Sequence, residues 1–131
     1  MAGLVPYLLL PGTAREALTR YHEIFGGELE LHSYAEFGRE DGPADAIAHG
    51  AVSGLVTLFA ADAAEGESSF QLAGGMFALL GTADATTLKA WFAALAEGGE
   101  VLDPLQERAW GDRDGQVRDR FGVHWLVGYQ G

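Results

Sequence analysis

Two stretches of this 131-residue chain read as copies of one another. Gly12-Thr13-Ala14 opens an amphipathic run that closes at Gly26-Gly27-Glu28, and Gly81-Thr82-Ala83 opens another that closes at Gly98-Gly99-Glu100. An apolar run precedes each opening, Leu8-Leu9-Leu10 in the first copy and Ala78-Leu79-Leu80 in the second. Further on, Gly54-Leu55-Val56-Thr57-Leu58 is echoed by Gly122-Val123-His124-Trp125-Leu126. The offset is 69 residues at Gly12 and Gly81, 72 at Gly26 and Gly98, and 68 at Gly54 and Gly122, which predicts a second helix about one turn longer than the first. A repeat of this size confines the chain to a pseudo-symmetric body of two modules, about 1–62 and 70–131 within one domain, with a cavity where the copies meet.

Each copy carries the same order of local signals. Leu4 to Leu10 reads as a strand stopped by Pro11-Gly12. Thr13-Ala14-Arg15-Glu16 has the spacing of a capping box, and Ala14, Ala17, Leu18, Tyr21 and Phe25 recur on one helical face. Gly26-Gly27 supplies a left-handed stop, and Glu28 to Tyr34 alternates as a half-exposed strand does. Glu36 to Asp45 is a polar loop long enough to act as a lid. Strands at about 46–52 and 55–61 follow, turning at Ser53-Gly54. The second copy runs through a strand at 75–80, a helix at 84–97 with Leu88, Trp91, Phe92 and Leu95 inward, and a strand from Glu100. A hairpin turn at Asp112-Arg113-Asp114-Gly115 leads to a last strand at 121–129. The expected fold is α+β, two tandem βαβββ modules.

Composition removes several function classes. Nineteen acidic residues against seven arginines and the single Lys89 give a net charge of −11. No basic stripe is available to neutralise phosphates, so neither nucleic acid nor an anionic membrane surface is an expected partner. The absence of cysteine removes disulfides, thiolate metal sites and cysteine nucleophiles. No run approaches the roughly 18 apolar residues that span a bilayer, and the apolar start lacks a basic leader, so the expected compartment is the cytoplasm.

The modules, together with Pro6-Tyr7-Leu8, His49 within Ala46-Ile47-Ala48-His49-Gly50-Ala51, Ala109-Trp110-Gly111 and the tail Asp119-Arg120-Phe121-Gly122-Val123-His124-Trp125, resemble the PhnB-like branch of the vicinal oxygen chelate superfamily. This is the superfamily of glyoxalase I, the extradiol dioxygenases and the bleomycin- and fosfomycin-resistance proteins. The resemblance covers essentially the whole chain and implies a homodimer, with the two modules forming a curved mixed sheet around a shared pocket. It also implies where a divalent metal would be held: inward positions of the first and last strands of each module, as His, Glu or Gln. Those positions fall on Pro6, Leu58, Gly75 and Leu126, none of which has a side-chain lone pair for a metal. No cofactor is therefore expected.

The candidates for ligand contact are Leu8, Leu10, Leu58, Phe77, Leu79 and Leu126 as apolar walls, His49 and His124 as polar points, and Trp110 as a stacking surface. An imidazole that titrates near neutrality can hold an anion or move a proton. Trp125, one residue from His124, should point the other way, into the helix layer. His22 and His32 are read as facing solvent, His32 on the face of Glu28 and Glu30. No catalytic residue is assigned, because carboxylate pairs, a nucleophile elbow and a phosphate-cradling glycine loop (Ala73-Gly74-Gly75 does not lead into a helix) are all missing from the expected pocket faces. The expected function is binding of a neutral or cationic small molecule without metal. The alternatives are a divalent-metal lyase, isomerase or dioxygenase of the glyoxalase type, and a side-chain-filled pocket with function at the dimer surface.

Overall fold

The structure is a computed structural model that describes residues 3–71 and 74–130. Met1 and Ala2 of the apolar start, and Ala73 of the glycine-rich stretch, lie outside them. The chain forms two compact units, Met1–Phe70 and Gln71–Gly131. The first runs β1 (Tyr7–Leu10), α1 (Ala14–Phe25), β2 (Glu28–Ser33), β3 (Ile47–Ser53) and β4 (Leu58–Asp62). The second runs β5 (Phe77–Leu80), α2 (Ala85–Ala96), β6 (Glu100–Glu107), β7 (Asp112–Arg118) and β8 (His124–Gln130). Each unit has one four-stranded mixed sheet, in the order β1-β4-β3-β2 and β5-β8-β7-β6. The first strand of each lies parallel to the last, and the other pairs are antiparallel. The expected βαβββ modules are both present.

Each sheet has one face under its helix. In the first unit the apolar stripe of α1, which is Ala14, Ala17, Leu18, Tyr21 and Phe25, is buried. Leu18 sits over Gly50 so closely that a Cβ at Gly50 would collide with it, which requires glycine in the middle of β3. Gly50 pairs with Ala60 and Ala60 with Leu8, so Leu8, Leu10 and Leu58 share the helix-side face. In the second unit Leu88, Trp91 and Leu95 of α2 are buried, as are Leu79, Val117, Trp125 and Val127 beneath it. Trp125 is in this layer, as its position next to His124 predicts.

Several local expectations are corrected. β1 and β5 begin at Tyr7 and Phe77, after Pro6 and Met76, not at Leu4 and Gly75. Both helices are 12 residues long, so the extra residues of the second copy fall in the flanks of α2 and not in an added turn. Thr13 makes no side-chain capping bond. Its backbone, at φ −111° and ψ 9°, is not in the extended conformation from which an N-cap side chain turns back onto its helix. Asp112-Arg113-Asp114-Gly115 is not a turn but the start of β7, and the chain reverses at 108–111, where Gly111 takes φ +97°. Turn-forming residue types mislead there because Gly115 is required for another reason. A Cβ on it would lie 2.7 Å from the backbone of Leu105, where β6 bulges at Pro104.

Candidate functional site

The face of each sheet turned away from its helix carries the chemistry. In the first unit, alternation places Tyr7 of β1, Phe59 of β4, His49 of β3 and His32 of β2 on that face, one from each strand. Tyr7 is the register partner of Phe59, and His49 that of His32. The Tyr7 hydroxyl is hydrogen-bonded to His49 Nδ1 at 2.9 Å. The Tyr7 and His49 rings each meet Phe59 edge-on, at 6.0 and 5.4 Å between centroids. His49 and His32 are parallel within 9° at 6.5 Å, and Phe37 stacks on the far side of His32 at 5.5 Å. The row is thus a strip of rings crossing the sheet.

Charge is concentrated at one end of that strip. His32 meets Glu36 through Nδ1 at 3.2 Å and Glu30 through Nε2 at 3.3 Å. The hydrogen bond to Glu30, then that to Glu36, raises the His32 pKa above the ordinary imidazole value. Glu36 is fixed in turn by the Ser33 amide at 3.0 Å. At the other end, burial raises the Tyr7 phenol above its usual value, with Arg39 opposing and Glu67 adding to the shift, so the phenol keeps its proton at neutral pH. The loop expected as a lid is tied down. Tyr34 is fully buried and donates its hydroxyl to the Asp62 carbonyl at 2.6 Å, while Arg39 lies over its ring and pairs with Asp41.

In the second unit the helix-free face carries Leu80, Leu126, Gly128, Asp114, Gln116 and His124. A cavity of about 500 Å³ opens at the end of this sheet, lined by Leu80, Leu126, Gly128 and Tyr129 together with Asp112 and Asp114. A Cβ at Gly128 would lie 3.0 Å from the Asp114 Cβ and 3.1 Å from Leu80 Cδ2, so the missing side chain leaves room between those two walls. Asp114 is neutralised by Arg108, whose Nε donates to its Oδ1 at 2.8 Å, and Arg108 also reaches Asp103. These two carboxylates raise the Arg108 pKa, Asp114 the more strongly. The Asp112 carboxylate has no hydrogen bond or ion pair among the described residues. Asp112 and Asp114, read from the sequence as part of a turn, stand on β7 against this cavity.

The nine residues singled out from sequence do not converge. Leu126 lines the cavity. His49 stands in the aromatic strip of the first unit. His124 is on the same face as Leu126, its Nε2 engaged by the side-chain amide of Gln116 at 2.9 Å, but outside the cavity wall. Trp110, at the tip of the β6–β7 hairpin, is 71% exposed. Leu8, Leu10, Leu58 and Leu79 are core residues under the helices, so their expected place as pocket walls is corrected, and Phe77 packs edge-on against Trp125. The reversal has a simple cause: Tyr7-Leu8-Leu9-Leu10 is apolar at every position, so its pattern does not reveal which alternate set lies under the helix. Tyr7 and Phe59 were passed over for that reason, and His32 because only the β2–β3 register brings it to His49.

The donor set does not fit a divalent metal at the expected positions. The backbone carbonyl of Pro6 is taken by the Phe59 amide at 3.0 Å, Leu58 is in the core, and Gly75 and Leu126 have no side-chain donor atom. Among the described residues no group of three or more His, Asp or Glu side chains is arranged to hold a metal ion. Among the described residues no helix is long and apolar enough to cross a membrane.

Comparison with known proteins agrees with this architecture. The chain is 33% identical to the crystal structure of protein PA1353 from Pseudomonas aeruginosa, with a TM-score of 0.82 over 99% of this chain and 98% of that one. It is 29% identical to Protein YjdN of Escherichia coli over 95% of this chain and 92% of YjdN. A PhnB protein from Bacillus cereus shares the fold at 18% identity, with a TM-score of 0.77 over 98% of this chain and 99% of its own. Residues 3–127 match the family model of the Glyoxalase/Bleomycin resistance protein/Dioxygenase superfamily, and the chain belongs to that superfamily.

Proposed function

We propose that this chain is a small-molecule-binding protein that works without a metal, as a cytoplasmic homodimer. The observation that carries the reading is the cavity of about 500 Å³ at the end of the second sheet, where Leu80 and Leu126 stand beside Asp112, Arg113, Asp114, Tyr129 and Gln130. Small ligands are held in pockets of roughly 300–1,000 Å³, a range that includes this one. The free carboxylate of Asp112 and the net charge of −11 favour a neutral or cationic ligand over an anion. Exposed Trp110, with Val101 and Leu102 on β6, offers the apolar surface a second copy would cover. Sequestration of a ligand needs such a pocket and no turnover.

The metal-dependent lyase, isomerase or dioxygenase reading depends on His49 and His124 as ligands. Nδ1 of the one is held by Tyr7 and Nε2 of the other by Gln116, and neither has a carboxylate beside it in its hydrogen bonding. Native mass spectrometry of protein purified without chelator or affinity metal is the test. A dimer free of metal, with a small-molecule adduct that Leu126→Glu removes, is the expected result. One divalent ion per subunit overturns the metal-free reading, and a monomer overturns the dimer.

A further inference from the structure

We infer that the cavity of the second unit is a site for a primary alkylammonium ion, its charged end held between Asp112 and Gln130 and its hydrocarbon chain laid across β8 against Leu80. The inference rests on the binding reading above and deepens it, choosing one class among the neutral and cationic ligands that reading admits. Three observations carry it: the charge balance at the cavity, a pair of unbonded acceptors within it, and the span from that pair to the apolar wall.

Four carboxylates, Asp103, Glu107, Asp112 and Asp114, stand in or beside the cavity against two guanidinium groups, Arg108 and Arg113. Arg108 is shared between Asp103 and Asp114. Arg113 is the register partner of Tyr129 and Glu107 on the helix side of the sheet, and it meets the Glu107 carboxylate at 3.5 Å. Both cations are therefore committed to other carboxylates, and the charge of Asp112 has no counterion among the described residues.

Asp112 is paired with Gln130 in the β7–β8 register, so the two side chains rise from the same face as Gly128 and Leu126. Gln130 likewise has no side-chain hydrogen bond among the described residues. A carboxylate beside an amide carbonyl is a pair of acceptors. A primary ammonium has three N–H donors, one for each of these and one for water at the mouth of the cavity. A quaternary ammonium has no donor and is held by ring faces instead. The one aromatic ring among the residues lining the cavity, Tyr129, belongs to the helix side, where Lys89 Nζ lies 6.0 Å from its centroid. The acceptor pair thus selects the primary amine.

Leu80 on β5 and Asp112 on β7 have β8 between them. Two strand spacings, about 10 Å, therefore separate the apolar wall from the carboxylate, a span that an extended chain of about six carbons covers. The β8 residue between them, in register with both Leu80 and Asp114, is Gly128, so no side chain blocks the path.

Hexylamine, protonated at pH 7, is the probe, with 1-hexanol and hexanoate as the neutral and anionic chains of the same length. Binding is followed by the amide shifts of Leu80, Leu126 and Gly128 in ¹H–¹⁵N spectra, which also report whether each variant is folded. Hexylamine is expected to bind at least tenfold more tightly than 1-hexanol, and hexanoate more weakly than either. Asp112→Asn keeps the shape of the side chain and should bring hexylamine to within about threefold of 1-hexanol, because the charge-assisted bond is gone. Leu80→Ser, at a side chain 60% exposed, should weaken hexylamine and 1-hexanol alike by about threefold, since it removes wall and not charge. If 1-hexanol binds as tightly as hexylamine, or if hexylamine is indifferent to Asp112→Asn, the amine class is overturned and the binding reading stands. No shift with any of the three probes also overturns the amine class, and the binding reading falls with it only if native mass spectrometry finds no adduct.

Discussion

The two helices have equal length and the same place in their units, yet their N-termini are held by different means. Asp84 caps α2 locally: its backbone is extended, at φ −69° and ψ 165°, and its side chain accepts the Thr87 amide at 2.8 Å. The start of α1 is held from 48 residues away, where Asp62 Oδ1 accepts the Ala14 amide at 2.9 Å. The second oxygen of Asp62 accepts the Ile47 amide at 2.8 Å, so one buried carboxylate ties α1 to β3. Parallel pairing makes this possible, because it sets Leu10 beside Asp62 and so brings the end of β4 to the start of α1. The second unit spends its buried carboxylate elsewhere. Asp119 accepts the Phe121 and Val123 amides and the Trp125 indole, shaping the β7–β8 turn instead of the helix end.

The helix-side layers differ too. Where the first unit pairs Leu8 with Ala60, the second pairs Phe77 with Trp125. Duplication has preserved strand order and the pairing of first with last strand, while the residues that fill the two layers have diverged. The second unit buries two tryptophans, Trp91 and Trp125, where the first buries Tyr21 and Phe25 with aliphatic side chains.

That contrast can be broken most sharply at Trp125. Trp125→Ala should cost roughly 3–5 kcal/mol in chemical denaturation, since it opens a cavity and leaves Asp119 without its indole donor. A loss below about 1 kcal/mol would mean that the second unit's core does not rest on this ring. Asp62→Ala comes next. It strands two buried amides, each worth about 1–3 kcal/mol, so a loss of roughly 2–5 kcal/mol is expected. Asp84→Ala exposes an amide that water reaches, so its loss should be clearly smaller, and equal losses at Asp62 and Asp84 would erase the distinction between distant and local caps. Thr13→Ala should be the mildest, within about 0.5 kcal/mol, because no side-chain capping bond is there to lose.

The open faces sharpen the comparison through pH. In the first unit, His32 has its pKa raised by Glu30 and then Glu36, so its protonated form is bound more tightly in the folded state than in the unfolded one. The stability it adds is fully present below the ordinary imidazole value of about 6.5 and is lost as pH rises through the raised value. Denaturation midpoints of wild type and His32→Gln should therefore differ at pH 5.5 and converge by pH 9. A difference that grows with pH would reverse the assignment.

Much of the architecture was legible before any coordinates. The repeated Gly-Thr-Ala and Gly-Gly-Glu marks located both helices, and the apolar spacing of α1 named its buried face correctly, because helical period and burial coincide on a surface helix. Trp125 was placed in the helix layer by alternation with Leu126, whose facing the family resemblance supplied. Failures fell where two readings share one sequence. Asp112-Arg113-Asp114-Gly115 has the composition of a turn, but Gly115 serves a close approach of β6. Thr13 and Glu16 have the spacing of a capping box, but the backbone at Thr13 is not extended.

What the chain alone determined is the order of elements and their approximate ends, because these depend on residue identity and local period. The tertiary structure decided which alternate residues of each strand lie under a helix, and hence that Tyr7, His32, His49 and Phe59 form one strip while Leu8, Leu10 and Leu58 form core. A strand's period is two, so a shift of one residue exchanges its faces, and an all-apolar strand such as Tyr7–Leu10 carries no local mark of which exchange has occurred. Register with β4 and the seat of Leu18 over Gly50 supply that mark, and both exist only once the chain has folded.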